Sequence, residues 1–132
     1  MSLRFFTIVI FASFLLTFFS CKKSETSGTV ESKIVLAVTV THHYVPVPNF
    51  PVYLKKNTGT YPGRDSTLYD LRVLTNSKGI ACFTGIPPGN HYLYGYGYDP
   101  GVLMNCIGYH PVIVSTSTVV NDTITTQLFV SE

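Results

Sequence analysis

Charge is scarce in this sequence: only 12% of its 132 residues are Asp, Glu, Lys or Arg, with nine basic side chains against seven acidic ones. A nucleic-acid-binding face needs basic side chains gathered together, and nothing here supplies one. Lys55 and Lys56 form the only basic doublet beyond residue 32 and read as a solvated strand end. No apolar run reaches the about 20 residues of a membrane-spanning helix. The longest, residues 5–19, stops at 15 and is broken by Thr7, Ser13 and Thr17. A sustained helical period is missing after residue 33. Also missing are a G-x-S-x-G elbow, paired catalytic carboxylates and a phosphate-cradling glycine loop, which leaves no enzyme chemistry to assign. Without a C-x-x-C or ordered histidines there is no zinc signature, and no cofactor is expected.

What is present begins at the first residues. Arg4 gives a basic start, residues 5–19 are greasy, Ser20 is small, and a polar stretch follows Cys21. That is the layout of a secretory signal. It resembles the lipobox of bacterial lipoproteins, in which the cysteine is acylated and becomes the new N-terminus. Phe18 and Phe19 depart from the aliphatic residue usual in that box, but Phe18 also fails the small-residue rule for ordinary cleavage. Residues 1–20 are therefore expected to be a lipoprotein signal peptide, with Cys21 the lipid attachment point. Each acyl methylene buried in the membrane adds about 0.8 kcal/mol of anchoring. The lack of an acidic residue just after Cys21 implies, by the same analogy, delivery to the outer membrane, facing either way. Removing residues 1–20 leaves 112 residues, a single domain, and Arg4 is the only charge lost.

In an oxidising compartment Cys82 and Cys106 are candidates for a disulfide. Closing a loop of about 25 residues would stabilise by about 3–4 kcal/mol. The alternative is two separate thiols acting as small apolar groups.

Residues 21–32 read as the lipidated cysteine and a flexible tether, being polar and free of aromatics. At residue 33 the texture changes: Ile34, Leu36, Val38 and Val40 alternate with Val35, Ala37, Thr39 and Thr41. Period-two alternation rich in β-branched residues, punctuated by Gly and Pro, predicts an all-β domain over 33–132. The expected strands are 33–42, 50–56, 68–75, 79–84, 91–98, 112–115 and 123–130. Seven strands of this length fit a seven-stranded antiparallel β-sandwich. Asn76 and Gly79 predict a tight hairpin between the third and fourth strands. Residues 57–67 form a long loop, expected to be mobile.

Residues 75–98 resemble the signature of carboxypeptidase regulatory-like domains, with Thr75, Gly79, Phe83, Ile86, Pro87, Pro88, Gly89 and Leu93 in matching places. Val52 and Leu54 after Pro48 match an earlier piece, and His91 stands where that family usually has Tyr. The resemblance implies a transthyretin-like, Greek-key β-sandwich. It implies no chemistry, because every matching residue has a structural duty. Transthyretin-like hydroxyisourate hydrolases share the architecture but end in Tyr-Arg-Gly-Ser, whereas this sequence ends LFVSE.

The sequence's most unusual feature inside the domain is HYLYGYGYD, residues 91–99. Alternation puts Tyr92, Tyr94, Tyr96 and Tyr98 on one face and His91, Leu93, Gly95 and Gly97 on the other. With Leu93 inward the tyrosines form an outward ladder, a candidate binding surface. Two other readings stand beside it: the inverted register, with tyrosines filling the core, and a ladder that only pairs with neighbouring strands. His42 and His43, adjacent on a strand, should face opposite ways as solvated ends, with His91 in a hydrogen-bonded semi-core place and His110 in a loop. No metal site is expected. The sequence thus points to a membrane-anchored, non-enzymatic module whose partner is an envelope protein or, through the tyrosines, a glycan.

Overall fold

The computed structural model describes residues 34–115 and 122–132; the signal, Cys21 and the tether lie outside the described residues. Alternation builds β1 (Val35–His42), whose Leu36, Val38 and Val40 are fully buried while the residues between them are partly exposed. This strand is the middle of the first sheet. It pairs antiparallel with β2 (Val45–Pro46) and, further along, with β5 (Ile80–Thr84), and runs parallel to β8 (Thr123–Phe129) on its other side. The second sheet is antiparallel throughout. Its order is β4 (Leu71–Leu74), β3 (Pro51–Lys55), β6 (Gly89–Asp99) and β7 (Met104–Val114).

The two layers close on one core, in which Leu36, Phe50, Leu54, Phe83, Leu93 and Leu128 are almost completely removed from water. The all-β sandwich is as the sequence predicts, with three differences. Eight strands form among the described residues because β2 appears as a short return after β1. The pairing of β1 with β8 is parallel, so the sandwich is not purely antiparallel. The turn at 76–79 is present: Asn76 Oδ1 accepts the Lys78 and Ile80 amides, and Gly79 takes a φ of 72°. It does not make a hairpin, however, since β4 and β5 belong to different sheets.

Gly95 and Gly97 lie on the inner face of β6, as the Leu93-inward register requires. A Cβ on Gly95 would lie 2.8 Å from the Phe50 ring and 2.9 Å from Leu128; one on Gly97 would lie 2.5 Å from Pro51. The glycines therefore hollow the sheet where Phe50 enters it. What looks like a poor core face in the sequence is a socket for a large side chain from the strand junction beside it.

Candidate functional site

The tyrosines point away from the inter-sheet core, but they do not share one environment. Tyr92 and Tyr94 are buried, whereas Tyr96 and Tyr98 are about half exposed. The cover comes from residues 57–69, which fold back over the outer face of the second sheet. The Tyr61 ring lies 5.6 Å from that of Tyr92 and 5.3 Å from that of Tyr109, and Tyr69 stacks on Tyr94 at 5.3 Å. Such ring pairs add to the plain burial of their surfaces. Of the four tyrosines of the candidate surface, Tyr92 and Tyr94 are therefore cemented under a flap and not exposed, leaving Tyr96 and Tyr98, with Tyr109 on the same face, open.

The flap is pinned at both ends rather than loose. The Asn57 amide donates to His91 Nδ1 at 3.3 Å, and His91 Nε2 donates to the Pro87 carbonyl at 2.8 Å. His91 is fully buried, a hydrogen-bonded core position. At the other end Asp70 accepts from Lys55 Nζ at 2.9 Å and from the Lys56 amide at 2.7 Å. Those bonds, the Lys56 amide foremost, hold its carboxyl below the ordinary 3.8. A carboxyl depressed by folding stabilises the fold above its unfolded value, near about pH 4, and loses that contribution as pH falls through the depressed value. Acidifying from pH 6 to below about pH 4 is expected to weaken the flap, read as faster hydrogen exchange at residues 57–69. In Asp70→Asn this acid-dependent step should vanish.

A second constellation lies where the core faces of the strands run out. β1 carries its inward parity past Leu36, Val38 and Val40 to His42, which is buried. β6 carries its own past Leu93 and Gly97 to Asp99, also buried. Cys106, opposite Gly97 on β7, faces the same space. Beyond β8, Glu132 arrives from the first sheet. His42 Nδ1 lies 3.0 Å from Asp99 Oδ2 and 3.9 Å from Cys106 Sγ, while His42 Nε2 lies 2.9 Å from Glu132 Oε2. Three strands of two sheets, β1, β6 and β7, therefore bring core-face side chains to one polar cluster, and Glu132 adds an exposed carboxylate from beyond the end of β8. His42 is corrected from a solvated strand end to the centre of a clasp. Nor do His42 and His43 face apart: the chain reverses at His43 with a φ of 47°, and the rings come within 4.4 Å. His110 lies in β7, not in a loop.

The candidate disulfide is not formed: both thiols are free, with Cys82 exposed on β5 and Cys106 buried under β7 in the opposite sheet. Burial, then the nearby Asp99 and Glu132 carboxylates, pushes the Cys106 thiol up. That is the reverse of the electropositive setting that activates a nucleophile.

Above the clasp opens a groove of about 450 Å³, between the β1–β2 turn and the β6–β7 turn. Its walls include Val45, Pro46, Pro48, Pro100 and Val102, with His42 and Asp99 in its floor. Two bulky apolar residues stand beside it, Tyr44 at 90% exposure and Leu103 at 75%. Both sit at left-handed backbone angles, φ 68° and 59°. Non-glycine residues there cost of order 1–3 kcal/mol each, and neither is repaid by burial. The sequence signal that could have located this site is parity: residues 42, 99 and 106 continue the inward register of their strands.

No family model and no curated protein matches the chain. Among solved structures it is similar to a point variant of the major pilin subunit BcpA of Bacillus cereus, with a TM-score of 0.50 and 12% identity over 76% of this chain and 30% of that one. It is also similar to the full-length major pilin SpaD of Corynebacterium diphtheriae, with a TM-score of 0.50 and 16% identity over 77% of this chain and 30% of that one. The chain thus corresponds to less than a third of either pilin. At these identities the likeness is one of fold: a β-sandwich of the kind found within pilins.

Proposed function

We propose that the chain is a lipid-tethered envelope module of the carboxypeptidase regulatory-like kind. In this reading it is non-enzymatic, outer-membrane anchored through Cys21, and docks an apolar side chain of a protein partner in the groove beside Tyr44 and Leu103. The observation that carries the reading is the pair of exposed, bulky residues held at strained turn tips. Strain retained without a packing return is a mark of a functional surface. Position supports it as well. The chain enters the sandwich at Ile34, and the groove lies past the other end of β1, roughly 25 Å away for an eight-residue strand. A tether at one pole leaves the other pole facing outward. Aliphatic walls suit a protein side chain better than a sugar.

Glycine accepts left-handed angles freely, so Tyr44→Gly and Leu103→Gly are expected to keep or raise the melting temperature. The same variants should lose a partner that cross-links and co-purifies with the wild-type chain from intact cells. Retention of the partner by both variants would refute the docking reading. The anchor is tested separately: a palmitate-analogue label should attach to the wild type and be lost in Cys21→Ala.

A second reading, glycan capture, rests on Tyr96, Tyr98 and Tyr109, whose exposed rings lie on one sheet face. Its test is glycan-array binding lost in Tyr96→Ala and Tyr98→Ala. Tyr94 is no part of that test, being buried.

A further inference from the structure

We infer that His42 Nδ1, Asp99 and Cys106 form a three-ligand site for a zinc ion, with the fourth coordination position open to the groove. The inference goes beyond the docking reading and does not depend on it. All three ligand atoms lie within 4.8 Å of one another, and all three residues are buried. The separations from His42 Nδ1, 3.0 Å to Asp99 and 3.9 Å to Cys106, bracket the about 3.3–3.8 Å edges of a tetrahedron built on zinc bonds of about 2.0–2.3 Å. One nitrogen, one carboxylate oxygen and one sulfur suit zinc. Magnesium and calcium would need a shell of oxygens, and a sulfur donor argues against both.

The supporting contacts are those a metal-bound histidine requires. Glu132 faces His42 Nε2 at 2.9 Å, so the ring can give its Nε2 proton to a carboxylate and turn Nδ1 toward a metal. Asp99 is oriented in turn by the Gly101 amide, 2.8 Å from its second oxygen. Without a cation, a single imidazole must answer two carboxylates while a buried thiol makes only long contacts, 3.9 Å to His42 Nδ1 and 4.0 Å to the Met104 carbonyl. A divalent ion answers all three, with the Cys106 proton released to solvent on binding. Among the described residues a second cluster of ligand type, His42, His43 and Glu132, has two exposed members and would forfeit the Glu132 support.

The test uses the full-length chain purified in detergent, stripped with chelator, and titrated with zinc against a chromophoric competitor and with cobalt as a spectroscopic probe. One zinc per chain is expected, with a thiolate-to-cobalt charge-transfer band. Cys106→Ser should abolish the band and weaken zinc at least tenfold, while Cys82→Ser should change neither. Glu132→Gln, at an exposed side chain that does not threaten folding, should keep the band and weaken zinc about 10- to 100-fold. Substoichiometric zinc in the wild type, a band that survives Cys106→Ser in a folded chain, or full affinity in Glu132→Gln would each overturn the site. Partner docking lost in Leu103→Gly with zinc affinity unchanged would separate the two claims.

Discussion

Phe50→Ala is expected to destabilise the domain by about 3–5 kcal/mol, the range for removing a buried aromatic side chain. The upper part of that range applies here. Phe50 is completely buried, and the wall it rests on contains Gly95, which has no side chain to swing into the void. The cost of such a truncation grows with the cavity that fails to collapse. Against a total stability of about 5–15 kcal/mol, this removes much of what holds the fold. Each kcal/mol corresponds to about 4–8 °C for a domain of this size, so a fall of roughly 12 °C or more is expected. Urea unfolding of Phe50→Ala and of Tyr98→Ala side by side provides the measurement. The exposed Tyr98 should change stability by about 0.5 kcal/mol or less. Equal effects from the two would mean that the Phe50 socket is wrongly described.

His42→Ala should be comparably costly for a different reason. Asp99 is buried and loses its side-chain partner, and removing one member of a buried pair costs about 3–5 kcal/mol. The cost belongs mostly to the stranded carboxylate, not to the pair itself. Neutralising it should therefore recover part of the loss. In the metal-free chain, His42→Ala with Asp99→Asn is expected to be more stable than His42→Ala alone, a coupling of about 0.5–3 kcal/mol by double-mutant cycle. Additive single effects would show that His42 and Asp99 do not form a clasp.

The sequence and the structure agree where the physics is local. Alternation in residues 34–42 locates β1 and its buried side chains, because the pleat repeats every two residues. Gly79, Phe83, Ile86 and Gly89 place β5 and its crossing to β6, because turn angles and core plugs constrain residue type directly. What fails is what depends on distant partners. Residues 104–111 read as a loop because Gly108 and Pro111 interrupt the pattern, yet they form most of β7. Proline is tolerated at 111 because, among the described residues, β7 pairs there with β6 alone; its other side is bridged at Ile107, to Ser131, and not at Pro111. Nothing local tells β8 to run parallel to β1, or the turn at 76–79 to change sheets. The sequence leaves the facing of the tyrosine ladder open between two registers, and its cover by Tyr61 and Tyr69 comes from a loop whose course a single strand cannot reveal.

The polar clasp is the instructive case. Adjacency to His43 on a strand end points His42 to solvent. Its parity with Leu36, Val38 and Val40 pointed inward, and the same count reaches Asp99 along β6 and Cys106 along β7. A buried histidine, carboxylate and thiol at strand ends are costly unless they answer one another. Counting parity across strands, and not only within one, would have drawn them to a common end.

In the proposed function the groove pole is the working face of the domain. Placing a photo-reactive amino acid singly at Leu103, Tyr109 or Cys82 in living cells samples the groove, the tyrosine face and the first sheet's outer face in turn. A discrete adduct at Leu103, absent at Tyr109 and Cys82, is the expected result. Adducts at Tyr109 with none at Leu103 would contradict it and move the binding function to the tyrosine face.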